Sequence, residues 1–304
     1  MRQGSTVAPM SERARPRATG KPARGILRQP PGVEHQRVLP SQALAPLIEH
    51  HWWVRWSVPE PQVTETLAHP TLHIAFEGQS QQRSRDPLRK LRGSRPPQSQ
   101  RAVRAELFGI TTGRFSKELR GSGFAFGVKF RPAAHAALLE VDSRALTDRV
   151  TPLSQLFGRA ALRLRDAIVN APDLAARVEL AETFLLARTH ALPEEAARFR
   201  DLVERIAVDR TIVRVEDAAA LVSMDVRTLQ RRFRQLVGVS PKWVIQRYRM
   251  HEAAEALKLP KPPPLAELAV RLGYYDQAHF SREFKAVVGA PPRVFAAAVR
   301  ANPA

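Results

Sequence analysis

The chain has 304 residues, 44% of them hydrophobic, so it is long enough for about two domains with cores of their own. It carries 48 Lys and Arg against 29 Asp and Glu, a formal net charge of +19 that favours a polyanionic partner. The absence of cysteine excludes disulfides, thiolate catalysis and thiolate metal sites. No apolar run approaches the roughly 18 residues of a membrane helix, and no secretory signal is seen, so we expect a cytoplasmic protein.

The first segment, residues 1–38, is rich in Arg, Pro, Gly and Ser and shows no sustained apolar period. Low hydrophobicity with high charge predicts a disordered basic tail. Such a tail either contacts nucleic-acid phosphates or is a solvated extension, and the second interpretation is favoured.

The next block, residues 39–155, has the pattern of a strand-rich domain. His51 to Val58 is aromatic and β-branched, which is typical of a strand. Alternating runs predict further strands at 62–68, 71–76, 106–112 and 123–130. A short helix or approach segment is expected at 42–50, a polar loop at 79–104 and a helix at 133–139.

Tryptophans and histidines in this block each allow two interpretations. Trp52 and Trp56 are predicted to share one face of a sheet and Trp53 the other, as core residues. The alternative is that these aromatic side chains line a small-molecule pocket. The histidines are expected to be separate core or surface residues and not the ligands of a metal ion; they are His50, His51, His69 and His73.

A helical linker is predicted at 156–208. Ala176, Leu180 and Phe184 follow a helical period, and Pro193 begins another helix. These stripes are equally consistent with core packing and with dimer contacts.

The last ninety or so residues contain one helical pattern twice. In each copy apolar residues recur at i, i+3, i+4 and i+7, and then at one face of a second helix. Asp225 and Asp276 are the expected N-caps of the second helices, and Gly238 and Gly289 end them. The first copy has Val215, Ala218, Ala219, Val222, Leu229, Phe233, Leu236 and Val237; the second has Leu265, Leu268, Ala269, Leu272, Phe280, Phe284, Val287 and Val288.

Two short helices joined by a tight turn form a helix-turn-helix, so the pattern predicts two such motifs. A solenoid would need more than two copies. The helix from Pro241 to Leu259 is expected to hold both copies rigidly, through apolar residues such as Trp243, Ile245, Tyr248 and Leu257.

The run from Asp276 to Lys285 (DQAHFSREFK), followed by Gly289 and Pro292, resembles the signature of AraC/XylS-type transcriptional regulators. The run 229–233 (LQRRF) with 238–241 (GVSP) resembles the first-copy counterpart. Pro260 to Pro264 departs from the family, which has a short polar turn there.

The strand-rich block also resembles a poorly characterised N-terminal domain of some of these regulators. Trp52-Trp53 and the run from Gly127 to Pro132 carry this second likeness. It implies a ligand-sensing or dimerisation role and a bacterial source.

The resemblance and the helical faces together predict the DNA-contacting side chains. The second helix of each motif enters the major groove and presents its exposed residues to base edges. Arg suits guanine, Gln suits adenine, and an Ala methyl group suits the thymine methyl group. Base contacts are expected from Arg227, Gln230, Arg231, Gln277, Ala278, Ser281 and Arg282, and phosphate contacts from Arg232, Arg234, Lys242 and Arg293.

The sequence therefore predicts an α+β protein. We expect a tail at 1–38, a sensor or dimerisation domain at 39–155, a helical linker at 156–208 and an AraC-type DNA-binding domain at 209–304. Double-stranded DNA is the expected partner. The resemblance is also consistent with RNA polymerase, a small-molecule effector or a second copy of the chain as partners, and with no membrane association.

No catalytic residue, metal or cofactor is expected, because no nucleophile elbow, phosphate-cradling glycine loop or HExxH motif is present. Two alternatives remain open. One is an enzyme tethered to DNA through its C-terminal part, and the other is a non-specific nucleic-acid-binding protein.

Overall fold

The computed structural model describes residues 17–19, 25–80 and 103–301. Within these ranges a seven-stranded antiparallel sheet is followed by nine α-helices, which confirms the predicted α+β class. The strands are β1 (Ile26–Arg28), β2 (Val33–Val38), β3 (Ile48–Leu67), β4 (His73–Ser80), β5 (Arg104–Phe108), β6 (Arg114–Phe130) and β7 (Val150–Pro152). The helices are α1 (Leu153–Asn170), α2 (Leu174–Leu186), α3 (Glu194–Val208), α4 (Val215–Leu221), α5 (Val226–Val237), α6 (Pro241–Lys258), α7 (Leu265–Arg271), α8 (Gln277–Val288) and α9 (Pro292–Ala301).

Two long strands, β3 and β6, form the spine of the sheet. The strand order is β1-β3-β6-β4-β5-β7, and β2 pairs with β3 beside β1. The predicted strands 51–58 and 62–68 are one strand, with a register irregularity between Val58 and Gln62. Pro59 and Pro61 lie within this irregularity, where a residue without an N–H group can be accommodated.

The tryptophans of β3 divide between the two faces as predicted. Trp56 lies against Gly123 so closely that a Cβ atom on that glycine would be 2.4 Å from the indole ring. Trp52 lies against Gly127 in the same way, and the corresponding distance is 2.2 Å. Trp53 packs instead on the opposite face, against the larger cluster of buried residues, which extends from the sheet into the helices.

Residues 25–38 are not part of a disordered tail, which corrects the prediction for this segment. β1 pairs with β3 near Thr66, and β2 pairs with it from Val33 opposite Trp56 to Val38 opposite His51. The segment has too few hydrophobic residues to predict a strand. However, β3 supplies the backbone partners and the apolar surface that these short strands lack. Residues 1–16 and 20–24 lie outside the described part of the chain.

Other predicted boundaries of the sheet also change. β6 begins at Arg114, well ahead of the predicted start at 123, because its polar first half pairs with the second half of β3. The strand β7 was not predicted. β4 continues to Ser80 and β5 begins at Arg104, while residues 81–102 of the predicted polar loop lie outside the described ranges.

One predicted helix is replaced by a turn, and one segment with two possible interpretations is resolved. The helix predicted at 133–139 is a single 3-10 turn, Ala134–Ala137, preceded by Ala133 in the left-handed region at φ 57°. At 42–50 the approach segment is found and not a helix: residues 42–47 form consecutive turns, and β3 begins at Ile48.

The buried residues form two large clusters that both cross from the sheet to the C-terminal helices. The larger cluster extends from the sheet through α1–α3 to α4, α5 and the first half of α6. The second cluster joins the other half of α6 and α7–α9 to Leu27 of β1 and Leu67 of β3. Within the described ranges no helix combines the length and apolarity that a membrane crossing requires.

Candidate nucleic-acid interface

The second helix of the first helix-turn-helix motif is α5. It begins after Asp225, whose carboxylate accepts a hydrogen bond from the Thr228 amide at 2.9 Å, and it ends at Gly238 with φ 89°. Leu229 and Phe233 are fully buried, so the opposite face of the helix is turned to solvent. The amide of Thr228 lowers the pKa of the Asp225 carboxyl, which therefore stays charged at the helix N-terminus, where a negative charge is favourable.

The second helix of the second motif, α8, begins and ends in the same way. Asp276 accepts a hydrogen bond from the His279 amide at 2.6 Å, and Gly289 ends the helix with φ 89°. Phe280 and Phe284 are fully buried. The N-caps, the C-terminal glycines and the buried faces of both helices are those predicted from the sequence.

The seven predicted base-contacting residues lie on the solvent-facing sides of these two helices. Gln230 and Ser281 are half-buried and the others are exposed. Within the described part of the chain, none of the six polar side chains has a hydrogen-bond or ion-pair partner. The exposed residues are Arg227, Arg231, Gln277, Ala278 and Arg282.

Helix α6 joins the two motifs by contributing to both buried clusters. Val244 and Ile245 in its first half belong to the larger cluster. Met250 and Leu257 in its second half belong to the second cluster, with α7–α9. A single helix anchored in two cores fixes the orientation of α5 relative to α8.

Polar contacts add to this connection between the motifs. Glu252 of α6 pairs with Arg210, ahead of α4, at 2.9 Å. Gln246 of α6 donates to Glu283 of α8 at 3.2 Å, and the Tyr274 hydroxyl donates to the other carboxylate oxygen at 2.8 Å. Burial, followed by the bond to Glu283, raises the pKa of Tyr274, so its hydroxyl remains a donor.

Solved structures of regulators resemble this chain at low identity. The C-terminal domain of AraT, a response regulator from Geobacillus stearothermophilus, is 27% identical, covers 36% of this chain and 88% of its own, and has a TM-score of 0.32. The DNA-binding domain of AdpA, in complex with a target DNA, is 29% identical and covers 34% and 95%, with a TM-score of 0.30. ToxT from Vibrio cholerae O395 is 9% identical and covers 87% and 97%, with a TM-score of 0.37.

Two family models match the sequence itself, and no curated protein does. Residues 36–152 match a domain of unknown function, DUF6597. Residues 218–298 match a family described as a helix-turn-helix domain, and they carry the two motifs just described. The C-terminal domain is an AraC-type helix-turn-helix domain. Domains of this type bind DNA, and the protein is a DNA-binding transcriptional regulator.

The predicted phosphate contacts of the AraC-type domain differ in their surroundings. Lys242 in the first turn of α6 and Arg293 in the first turn of α9 are exposed, as is Arg234. Arg232 is half-buried and pairs with Glu195 of α3 at 3.1 Å. The first three side chains are available to a ligand, whereas Arg232 would have to leave its ion pair.

The part of the chain that contains the sheet, residues 25–80 and 103–152, is called the sheet domain here, and it contacts the AraC-type domain at the C-terminus of α5. The Ser143 hydroxyl donates to the Leu236 carbonyl at 2.8 Å, and the Thr147 hydroxyl donates to the Gly238 carbonyl at 2.9 Å. The last carbonyls of a helix have no partner within the helix, so the Ser143 hydroxyl satisfies that of Leu236, and the Thr147 hydroxyl bonds the C-cap residue that follows the helix. Ser143 also hydrogen-bonds to the buried His135 at 2.8 Å.

A second contact lies between the sheet domain and α6. Arg247 is buried, donates to the Thr112 carbonyl and stacks on Trp243 at 4.3 Å. The rings of His251 and His69 stack at 4.1 Å. Burial lowers the pKa of His251 to about 3, so the ring is neutral at this interface.

The histidines of the sheet domain have protein partners. His51 Nε2 lies 2.9 Å from a Glu182 oxygen, and His73 Nδ1 accepts from the Trp52 indole at 3.2 Å. His50 lies 3.5 Å from Glu49. Within the described ranges no group of three or more His, Cys, Asp or Glu side chains is placed to hold a metal ion.

The sequence analysis missed two kinds of residue: one beside the second recognition helix, and two at the contact between the sheet domain and α5. Tyr275 is 93% exposed immediately before the N-cap Asp276. The one-residue insertion that places it there, relative to the first copy, was a usable signal in the sequence. Ser143 and Thr147 gave no such signal, because they lie more than 90 residues from the carbonyls they bind.

Proposed function

We propose that the protein is a sequence-specific transcriptional regulator that reads two adjacent major-groove segments with α5 and α8. The proposal is supported by one observation above all. Two exposed and unlike polar faces are attached to a single helix, α6, that is anchored in two cores. Because the two faces differ in sequence, the site is asymmetric, with two parts about one helical turn, roughly 34 Å, apart.

The base contacts follow from the chemistry of the exposed side chains. Arg231 and Arg282 donate to guanine O6 and N7, and Gln230 and Gln277 bond adenine N6 and N7. Ala278 contacts a thymine methyl group. Arg227 and Ser281 form hydrogen bonds with the edges of neighbouring bases.

The phosphate contacts set the register of the protein on the duplex. Lys242 and Arg293 lie in first turns of helices, where free N–H groups also attract phosphate. Arg234 adds a third exposed cation. Arg232 contributes when it exchanges Glu195 for a phosphate.

The sheet domain acts as the regulatory part, by sensing a small molecule or by dimerising. Support comes from its direct contacts with the DNA-reading part, at α5 through Ser143 and Thr147 and at α6 through Thr112. A change in the sheet domain would therefore reach both recognition helices.

Selection of bound sequences from random DNA, with the purified full-length protein, tests the proposal. We expect enrichment of one asymmetric motif in two parts. A selection without enrichment, at a salt concentration where DNA is bound, would instead identify a non-specific nucleic-acid-binding protein.

A further inference from the structure

A cavity of about 420 Å³ lies where α2 covers the sheet. Its walls include Trp53 and Arg55 of β3, Phe124 of β6 and Arg177 of α2. The volume lies within the range of small-molecule pockets, which are mostly apolar with a few polar groups that fix orientation.

The guanidinium of Arg177 is the cationic group of this cavity without an acidic partner. It is half-buried, lies 5.2 Å from the centre of the Phe124 ring and donates to the Ala171 carbonyl at 2.8 Å. Its Nε atom is buried without an acceptor, and no carboxylate in the described ranges forms an ion pair with it. Desolvation lowers the pKa of Arg177, and the negative charge of Asp173 offsets this lowering only in part.

A second donor in the cavity wall is also unsatisfied. The indole nitrogen of Trp53 is buried and has no hydrogen-bond partner within the described residues. Arg55 lies over the same ring at 5.8 Å, but it is already paired with Glu34 at 2.8 Å. Arg55 is thus neutralised. Within the described residues, Arg177 has no ion-pair partner, and Arg177 Nε and Trp53 Nε1 are two buried donors without acceptors.

We infer that this cavity binds an aryl carboxylate, with its ring between Trp53 and Phe124 and its carboxylate on Arg177. A carboxylate supplies the acceptors and the negative charge that the wall lacks, and Arg is suited to bind it with two hydrogen bonds. The aromatic side chains supply flat apolar surface for the ring. This inference rests on the sensing role proposed for the sheet domain.

The position of Arg177 suits such a role. It belongs to α2, while Trp53 and Phe124 belong to the sheet, so the ligand touches both layers. Glu182 of α2 also ties these layers together, through His51 at 2.9 Å and the Ser41 amide at 2.8 Å. A ligand at Arg177 therefore adds a further bond between the helical layer and the sheet.

Calorimetry with the full-length protein tests the inference, with cinnamate as the probe and neutral cinnamamide as its isostere. We expect cinnamate to bind at least tenfold more tightly than cinnamamide. Arg177→Gln should lower the cinnamate affinity more than tenfold and leave cinnamamide unchanged, while Arg177→Lys should retain part of the difference.

The matched control is Arg163→Gln, an exposed position of the neighbouring helix α1, which should leave both affinities unchanged. Circular dichroism melting checks that each variant is folded. If cinnamate does not bind at millimolar concentration, or if both probes bind equally to wild type and Arg177→Gln, the inference is overturned. DNA selection with the same preparation is a separate readout, so a failure here is distinguishable from a failure of the regulator proposal.

Discussion

At the scale of single residues, the proposed base readout depends on side chains that have no partner within the described part of the chain. Arg282 is exposed on α8, opposite the buried Phe280 and Phe284. We expect Arg282→Ala to cost about 1–3 kcal/mol of binding free energy on the preferred site and to relax the base preference at one position. Titration against single-base variants of the selected site measures this, and an equal loss on every sequence would contradict base readout by Arg282.

Lys242 provides the matched comparison, because we assign it to a phosphate. Lys242→Ala should weaken binding to all sequences similarly and reduce the slope of log affinity against log salt by about one. A loss restricted to particular bases would move Lys242 to the other class of contact.

Buried histidines predict how stability depends on pH. Burial lowers the pKa of His135 from 6.5 to about 4, so the unfolded chain takes up a proton before the folded protein does. The stabilisation is complete above pH 6.5 and is lost as the pH falls towards 4, at up to about 1.4 kcal/mol per pH unit from this group.

Urea unfolding at pH 7 and at pH 5 tests this expectation, with His135→Gln for comparison. The variant should lose less stability than wild type between the two pH values. The buried His73 and His251, whose pKa values are lowered to about 3, contribute with the same sign in both proteins. An unchanged pH dependence in His135→Gln would contradict the assignment.

At the scale of elements, the C-terminus of α5 is capped by another domain. Ser143→Ala removes the hydroxyl that bonds the Leu236 carbonyl and His135. We expect a loss of about 1–3 kcal/mol in the free energy of unfolding, because the Leu236 carbonyl loses this donor and the buried His135 loses its partner.

Denaturant unfolding measures the effect of Ser143→Ala, and Ser116→Ala on the exposed side of β6 is the control. Hydrogen exchange of α5 should also accelerate in Ser143→Ala. If α5 exchanged at the wild-type rate, the cap would contribute nothing to the helix.

At the scale of the whole molecule, the second helix-turn-helix shares its core with the sheet. Leu67 of β3 is fully buried in the cluster that contains Phe280 and Phe284. Leu67→Ala should cost about 2–5 kcal/mol of unfolding free energy, as expected for a large buried side chain. It should also increase hydrogen exchange in α7–α9, although the substitution lies in the sheet.

The control for this whole-molecule prediction is Leu186→Ala, since Leu186 is 48% exposed at the end of α2. That change should stay within about 0.5 kcal/mol of wild type. A Leu67→Ala variant whose exchange increases only in the sheet would show that the shared core does not couple the two parts.

The sequence by itself determined the two helix-turn-helix motifs. Their N-caps bond amides three residues away, Asp225 to Thr228 and Asp276 to His279. The helical period fixes which side chains are buried, and the exposed recognition faces are what remains. Such interactions act within a few residues of the chain, so their pattern is visible without knowledge of the fold.

Only the tertiary structure decided the connections between distant segments. The strands at 26–28 and 33–38 were predicted to be disordered because their composition says nothing of the partner strand β3. The same holds for the Ser143 cap on α5, for Arg177 in the wall of the cavity and for Leu67 in the buried cluster that includes Phe280. Each depends on which segments the topology brings together, and that choice is made by the summed burial of the whole molecule, which no local pattern records.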